Sequence, residues 1–296
     1  MNLCITPNSS IEFEKYYNLR WKILRQPWQQ ELGSERDSLE QQSYHRMIVG
    51  ENQQVLAVGR LERVSQYAGK IRYMAVSPEA QGQGLGKQII YALEALAQQL
   101  GITKIELNAR EDALGFYQNL SYQQQGFSHL LFNEIKHFVM HKTLAAHVHH
   151  QKLKTQALQK IWHDTIPMSK AMNMEISYFD ENSLFTHCDA EFNQNLHHTM
   201  FAGSIYTLAT LTGWAWTYFL LQQAELNGNI VLADANIRYH APIKGGAYAA
   251  VEQQNVSGEL SPLKQNNKAR IKLEVQVYCG DNIAATFTGS YFILPK

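Results

Sequence analysis

Two stretches of this 296-residue chain have the residue types and spacing to do chemistry. The first is Asn193-Gln194-Asn195-Leu196-His197-His198-Thr199-Met200-Phe201-Ala202-Gly203-Ser204. Behind it runs an apolar series, Ile205, Leu208, Ala209, Leu211, Trp214, Ala215, Trp216, Tyr218, Phe219 and Leu220. Its helical spacing spills onto nearly every face, which predicts a long buried helix stopping at Asn227-Gly228-Asn229. A first turn of Thr, Gly and Ser leaves backbone N–H groups free, and such groups suit a carbonyl oxygen or an enolate. No Asp or Glu lies between Glu191 and Glu225. The second stretch is Gln81-Gly82-Gln83-Gly84-Leu85-Gly86-Lys87. It sits between a predicted strand, Ile71–Val76, and a predicted helix, Lys87–Leu100. A strand, a glycine-rich turn and a helix start make a phosphate cradle, because the backbone can approach and its N–H groups face the anion. The spacing fits neither the Walker loop nor the dinucleotide fingerprint.

The elements that must position these stretches fall into two sets. The first half reads as a helix over 13–32 broken near Pro27, then strands at Met47–Val49, Val55–Gly59 (extended by Leu61–Val64) and Ile71–Val76. After the glycine-rich turn and its helix come a strand at Ile102–Asn108, a short helix at Ala113–Leu120 and a last strand at Lys136–Met140. The segment Leu144-Ala-Ala-His147-Val-His149-His150 reads as a solvated linker rather than a metal site, since no other ligand type is near. The second half opens with an amphipathic helix (Leu153, Ala157, Leu158, Ile161, Trp162), then strands at Ile176–Phe179 and Ser183–His187. After the central helix follow strands at Ile230–Tyr239, Ala247–Val251, Ala269–Cys279 and Ile283–Ile293. That order predicts α+β: an antiparallel sheet wrapped round a helix.

Composition sets the bounds. With 45% hydrophobic and 18% charged residues, the chain has enough apolar material for sizeable cores. Its formal net charge is zero, so no global field points to nucleic acid or a membrane surface. Cys4, Cys188 and Cys279 are few and unpatterned, which favours a reducing, cytoplasmic setting without a disulfide framework or a metal. The first residues do not read as a signal peptide, and the densest apolar run reads as a core helix rather than a span.

Gln81, Gly84 and Gly86 match the acyl-coenzyme A loop of the GNAT acetyltransferases, Gln/Arg-x-x-Gly-x-Gly/Ala. Met74-Ala75-Val76 resembles that family's pantetheine-binding strand. Asn108, at the end of the next strand, and Ala113-Leu-Gly-Phe116-Tyr117 with Leu120-Ser-Tyr122 resemble its later segments, although Ser121 replaces a Gly. The resemblance covers residues 1–144. It implies an acetyl-CoA or CoA site formed by Met74, Val76, Gln81, Gly82, Gln83, Gly84, Leu85, Gly86, Lys87, Asn108 and Tyr117. It also implies that Tyr117 protonates the leaving thiolate, beside the equal reading of a core tyrosine. Glu62 and Glu106 are the candidate acceptor bases, and either can equally face solvent.

Residues 152–296, after a linker at 145–151, resemble a hotdog fold. Hotdog thioesterases of the phenylacetate type carry Asn-x-x-Gly-x-x-His-Gly-Gly at the start of the central helix and an acid nine residues after the His. Asn195 and Gly203 match that pattern, while His198, Phe201 and Thr210 replace its first Gly, its His and its acid. Hydrolysis needs a nucleophile or a base, and only His197 and His198 remain as candidates. Decarboxylation of a malonyl thioester asks the reverse: donors for the enolate oxygen and an acid-free pocket. The whole chain is similar to a bacterial family that joins a GNAT domain to a YiiD-type thioesterase domain. That family's Asn-x-Asn-x-x-x-Thr-x-Phe-x-Gly-Ser pattern is met by Asn193, Asn195, Thr199, Phe201, Gly203 and Ser204, and its strand by Ile230–Tyr239. Its members resemble malonyl-acyl-carrier-protein decarboxylases of fatty-acid synthesis. The resemblance implies Asn195, Asn193, Thr199 and Gly203 as catalytic residues, with Tyr117 in the other half. The expected partners are an acyl-carrier protein or acyl-CoA and a second copy through the hotdog half. The alternative is an acyl-CoA or acyl-carrier-protein thioesterase fused to an N-acetyltransferase. Asp234 is expected to be structural, paired with Arg238 or capping a helix. Arg238, His240, Lys244, Lys264, Lys268 and Arg270 could receive an acidic carrier or a CoA phosphate.

Overall fold

The computed structural model describes residues 2–65, 67–144 and 152–296. His147, His149 and His150 of the linker lie outside the described residues. The chain divides into two compact units, Met1–His147 and Val148–Lys296.

In the first unit β1 (Leu3–Ile5) leads into α1 (Ser10–Leu24). A capping box starts this helix: Ser9 Oγ accepts the Glu12 N–H at 3.2 Å and Glu12 Oε2 accepts the Ser9 N–H at 3.3 Å. The helix ends earlier than its apolar pattern suggests, because Pro27 opens a separate 3-10 turn, Gln26–Trp28. Then follow β2 (Tyr44–Val49), β3 (Val55–Arg63), β4 (Ala68–Val76), α2 (Leu85–Gln99), β5 (Lys104–Arg110), α3 (Leu114–Gln118), β6 (Gln123–Leu131) and β7 (Ile135–Thr143). The strands form one sheet in the order β1-β2-β3-β4-β5-β7-β6. Every neighbouring pair is antiparallel except β4 and β5. That parallel pairing runs only from Ala68↔Lys104 to Ile71↔Leu107, although β4 continues to Val76 and β5 to Arg110. Tyr73, at φ +54°, marks a bulge between the register points Val58↔Ala75 and Arg60↔Arg72. The bulge turns β4 aside, and the two strands part.

In the second unit α4 (Lys152–Thr165) and α5 (Pro167–Ala171) precede β8 (Glu175–Phe179) and β9 (Ser183–Cys188). The 22-residue α6 (Ala202–Gln223) follows, then β10 (Asn229–Tyr239), β11 (Ala247–Glu252), β12 (Val256–Glu259), β13 (Ala269–Cys279) and β14 (Asn282–Leu294). Six strands pair antiparallel in the order β10-β14-β13-β11-β9-β8, with β12 beside β13. The expected sheet around a central helix is present: α6 packs on β9, β10, β11, β13 and β14. Gly213 lets the helix sit close, since a Cβ there would lie 2.5 Å from the Tyr291 hydroxyl and 2.8 Å from Leu273 Cδ1. Two of the helix threonines bond back to the preceding turn, Thr217 Oγ1 donating to Gly213 O at 3.0 Å and Thr212 Oγ1 to Leu208 O at 2.6 Å. The helix stop differs from the expected Asn227-Gly228-Asn229. The chain turns at Glu225, φ +53°, whose N–H reaches Gln222 O, while Gly228 lies close against Ile293.

Candidate functional site

In the second unit the segment ahead of α6 is held by its own amides. Asn193 is 2% exposed, and its Nδ2 donates to Met172 O at 2.9 Å and Asp189 O at 2.7 Å. Both amide hydrogens are committed, so Asn193 is the brace of this loop and has none left for a ligand. Its backbone O accepts the Phe201 N–H at 2.7 Å, which sets the start of the helix. Asn195 Oδ1 accepts the His197 N–H at 2.8 Å and the Thr199 N–H at 3.3 Å, and its Nδ2 lies 3.1 Å from Thr199 Oγ1. The loop N–H groups fix which way this amide faces, and its second Nδ2 hydrogen has no partner among the described residues. An alanine at 195 would therefore loosen the turn as well as remove a donor, which the sequence does not reveal.

Phe201 caps α6 with backbone alone, at φ −64° and ψ 135°, and no side chain caps the helix. Ile205 N–H is the first to close a helical bond, to Phe201 O at 3.1 Å, so the N–H groups of Ala202, Gly203 and Ser204 point out of the helix start. The Phe201 ring lies over Gly203, where a Cβ would meet Cε1 at 2.3 Å. Tyr239 Oη donates to Ala202 O at 3.0 Å and steadies this turn from β10. Thr210, in the place of the family's acid, has a buried Oγ1 without a partner, and its backbone O accepts the Tyr291 hydroxyl at 2.8 Å. His197 and His198 are exposed. Asp234 is also exposed, at the β10 bulge, with neither an ion pair to Arg238 nor a helix to cap. Neither expected role is met, because β10 is the edge of the sheet and leaves this side chain in solvent. Of the basic group, Lys268 and Arg270 flank the Phe292 ring, and Arg270 Nε donates to Ser290 Oγ at 2.6 Å.

In the first unit the glycine-rich turn has the shape a phosphate needs. Gly82 and Gly84 lie at φ +76° and +77°, and Gly84 caps α2 without any side chain. A Cβ at either would meet nothing within 4 Å, so the loop faces open space. Gln88 N–H is the first to bond within the helix, at 3.1 Å to Gly84 O, which leaves the Leu85, Gly86 and Lys87 N–H groups outward. Met74 and Val76 lie on the parted section of β4, and Asn108 on that of β5, its Oδ1 buried and unpartnered. Tyr117 is 7% exposed between Phe116 and Tyr122, and burial pushes its hydroxyl pKa up while Arg110 pulls it down. A phenol so perturbed stays protonated near neutral pH.

Neither expected base is free. Glu62 pairs with Arg72 at 2.9 Å and Arg60 at 3.4 Å. Glu106 pairs with Lys70 at 2.5 Å and His141 at 3.1 Å, and the Lys70 bond leads in lowering its pKa. The sequence missed His137. It is 8% exposed on β7, and Nδ1 donates to Ile135 O at 3.1 Å, leaving the Nε2 lone pair available. Only the strand register, which puts His137 opposite Arg110, reveals it.

Residues 13–122 match the family described as "Acetyltransferase (GNAT) family", and residues 155–295 match "Putative thioesterase (yiiD_Cterm)". The chain belongs to both: a GNAT domain followed by a YiiD-type thioesterase domain. The chain is similar to "Uncharacterized protein YyaT" of Bacillus subtilis (strain 168), 31% identical over 112 residues, 38% of this chain and 74% of that one. The YiiD-type domain is similar to a solved "putative thioesterase" from Shewanella oneidensis, at 42% identity and TM-score 0.46, over 48% of this chain and 97% of that one. A solved "putative N-acetyltransferase" from Lactobacillus plantarum is 20% identical at TM-score 0.44, over 49% and 99% of the two chains. The fold is mixed α+β, GNAT-like then hotdog-like, and both families are enzyme families. Among the described residues, no helix is long and apolar enough to cross a membrane, and no group of three or more His, Cys, Asp or Glu is placed to hold a metal.

Proposed function

We propose that the YiiD-type half decarboxylates a malonyl thioester, carried on acyl-carrier protein or CoA, to the acetyl thioester that starts fatty-acid synthesis. The observation that carries this reading is the uncapped start of α6: three outward N–H groups in a stretch of chain without a carboxylate from Phe192 to Ala224. The Ala202, Gly203 and Ser204 N–H groups and the spare Asn195 Nδ2 hydrogen receive the thioester oxygen. As the bond to the carboxyl carbon breaks, its electron pair moves into the enolate those donors hold, and carbon dioxide leaves. Water then returns a proton to the α-carbon. Thr199 keeps the Asn195 amide in its orientation, and Gly203 gives the Phe201 ring room to lie over the start of the helix. Thr210 in place of an acid removes the base a hydrolase would use. The GNAT half binds acyl-CoA, with the 82–87 turn on its phosphates, Met74, Val76 and Asn108 along its arm, Gln81 flanking the turn, and Tyr117 at its sulfur. A second copy joins along the hotdog half, consistent with the exposed Leu196, Phe201 and Val231 of this region. Purified protein is incubated with malonyl-carrier protein and the products are weighed. Acetyl-carrier protein is expected, and free holo-carrier would replace this reading with hydrolysis.

A further inference from the structure

The strand register aligns three side chains at the far end of the GNAT sheet. Arg110 of β5 stands opposite His137 of β7, which stands opposite His129 of β6. Directly opposed residues share a face, and the two imidazoles stack with centroids 4.7 Å apart. Arg25, from the end of α1, closes the group. Its Nε donates to Ser34 O and its Nη1 to Leu24 O, both at 2.9 Å, and its guanidinium lies 5.6 Å from the Phe132 ring. Arg110 lies 4.6 Å over Trp28, which stacks on Phe132 at 6.2 Å. Arg25 is also 5.6 Å from Tyr73, the residue at which β4 turns away from β5. The group therefore sits where the strands part.

What sets Arg25 and Arg110 apart is the absence, among the described residues, of any carboxylate in ion-pair contact with them. Elsewhere in this domain buried arginines are paired: Arg20 takes Glu40 at 2.9 Å, and Arg60 takes Asp37 at 2.7 Å and Glu40 at 2.6 Å. Burial lowers the pKa of Arg25 and of Arg110. Around Arg110 the Asp112 charge opposes this and Arg25 adds to it. Glu35 offsets part of the desolvation of Arg25 and Asp112 part of that of Arg110, each by its charge without an ion-pair contact, and the planar forks of the two guanidinium groups fit carboxylate or phosphate. His137 has its pKa lowered first by burial, against its bond to Ile135, then by His129, Arg110 and Arg25. It is neutral near pH 7, with Nε2 able to accept a proton.

We propose that this cluster of side chains takes the acyl acceptor, a primary amine that also bears a carboxylate or a phosphate: Arg25 and Arg110 hold the anion beside Trp28 and Phe132, and His137 takes the amine proton. This rests on acyl-CoA binding by the same half. The amine lone pair forms a C–N bond to the thioester carbonyl carbon and the C–S bond breaks. The thiolate takes the Tyr117 proton, and the proton shed by nitrogen passes to His137 Nε2. Cationic polyamines are excluded by the paired guanidinium charges.

The test uses the full chain, with acetyl-CoA binding followed by calorimetry and thiol release followed against amines of matched size. One set carries a carboxylate, one a phosphate, one no further charge and one a second cation. Turnover confined to an anionic set is expected, and which of the two sets responds identifies the anion. Arg110→Gln should raise the KM for that amine about tenfold or more at unchanged acetyl-CoA affinity. His137→Gln should lower kcat about a hundredfold or more at unchanged KM. Best turnover with an uncharged or cationic amine, or an anionic-amine KM indifferent to Arg110→Gln in a variant that melts normally, overturns the proposal. Acetyl-CoA binding with no response to any anionic amine overturns it too. Failure of acetyl-CoA to bind instead removes the donor reading, and calorimetry of the anionic amines alone then decides whether the arginine cluster binds them.

Discussion

The substitution Asn195→Asp isolates the chemistry of the loop from its architecture. Asn195 Oδ1 accepts the His197 and Thr199 N–H groups, and an aspartate oxygen can accept both. Across from Nδ2 stands Thr199 Oγ1 at 3.1 Å, a hydroxyl that can rotate and donate to the new oxygen. The turn therefore survives, and what changes is the outward amide hydrogen and one unit of charge. Loss of a single oxyanion donor costs about 2.7–4 kcal/mol, on the order of a hundredfold to a thousandfold in turnover. A negative charge beside a forming enolate adds to that loss. Asn195→Ala removes the donor and also the loop's side-chain bonds, each contributing about 0.5–1.5 kcal/mol, so it should melt lower than the aspartate variant. The assay is the rate of acetyl-carrier protein formation from malonyl-carrier protein, with thermal melts of both variants. Wild-type turnover by Asn195→Asp would refute the assignment of Asn195 to the oxyanion. A rise in free holo-carrier would go further, since a carboxylate here could serve as the base of a hydrolase.

Gly84→Asp should abolish acetyl-CoA binding by calorimetry, because the new side chain puts charge in the cradle and strains a backbone at φ +77°. Asn193→Ala strips the buried carbonyl of Met172 and the part-buried carbonyl of Asp189 of a donor, and at about 1–3 kcal/mol for the buried group it should melt below wild type. Burial would raise the Asp37 pKa, but the bond and charge of Arg60 outweigh it and hold the carboxyl at about 2, against 3.8 for the free group. A depressed pKa adds stability above about pH 4 that is lost as pH falls towards 2, so acid unfolding over that window should be blunted in Asp37→Asn. Light scattering should give at least a dimer, and a fully active monomer would exclude the second copy.

Elements that bury themselves announce it in the sequence. The α6 run is apolar on nearly all faces, and β13 alternates from Ala269 to Cys279 because one of its faces is core. The sheet edges do not. In β6, Gln123-Gln124-Gln125-Gly126 has no apolar alternation, since most of that outer strand faces water and only its ladder to β7 defines it. β12 is four residues long and borrows its order from β13. The loop at 193–204 was legible as a set of donors, but which amide is spent on the chain depends on Met172 and Asp189, distant or irregular partners without a spacing rule. His137 carried no local signal at all, because its meaning comes from Arg110 across the sheet.

The parting of β4 from β5 leaves two strand edges inside one sheet, from Arg72 to Val76 and from Asn108 to Arg110. Backbone groups on those edges can be satisfied by any extended chain that slides between them. A pantetheine arm is such a chain, and as a guest that binds only the folded form it would add about 2.7 kcal/mol at a hundredfold excess over its Kd. Without the guest, the same slot is open to a strand from a neighbouring molecule. Preparations stripped of acyl-CoA should therefore cloud sooner on standing than saturated ones, and shelf life becomes a measure of how well the gap is filled.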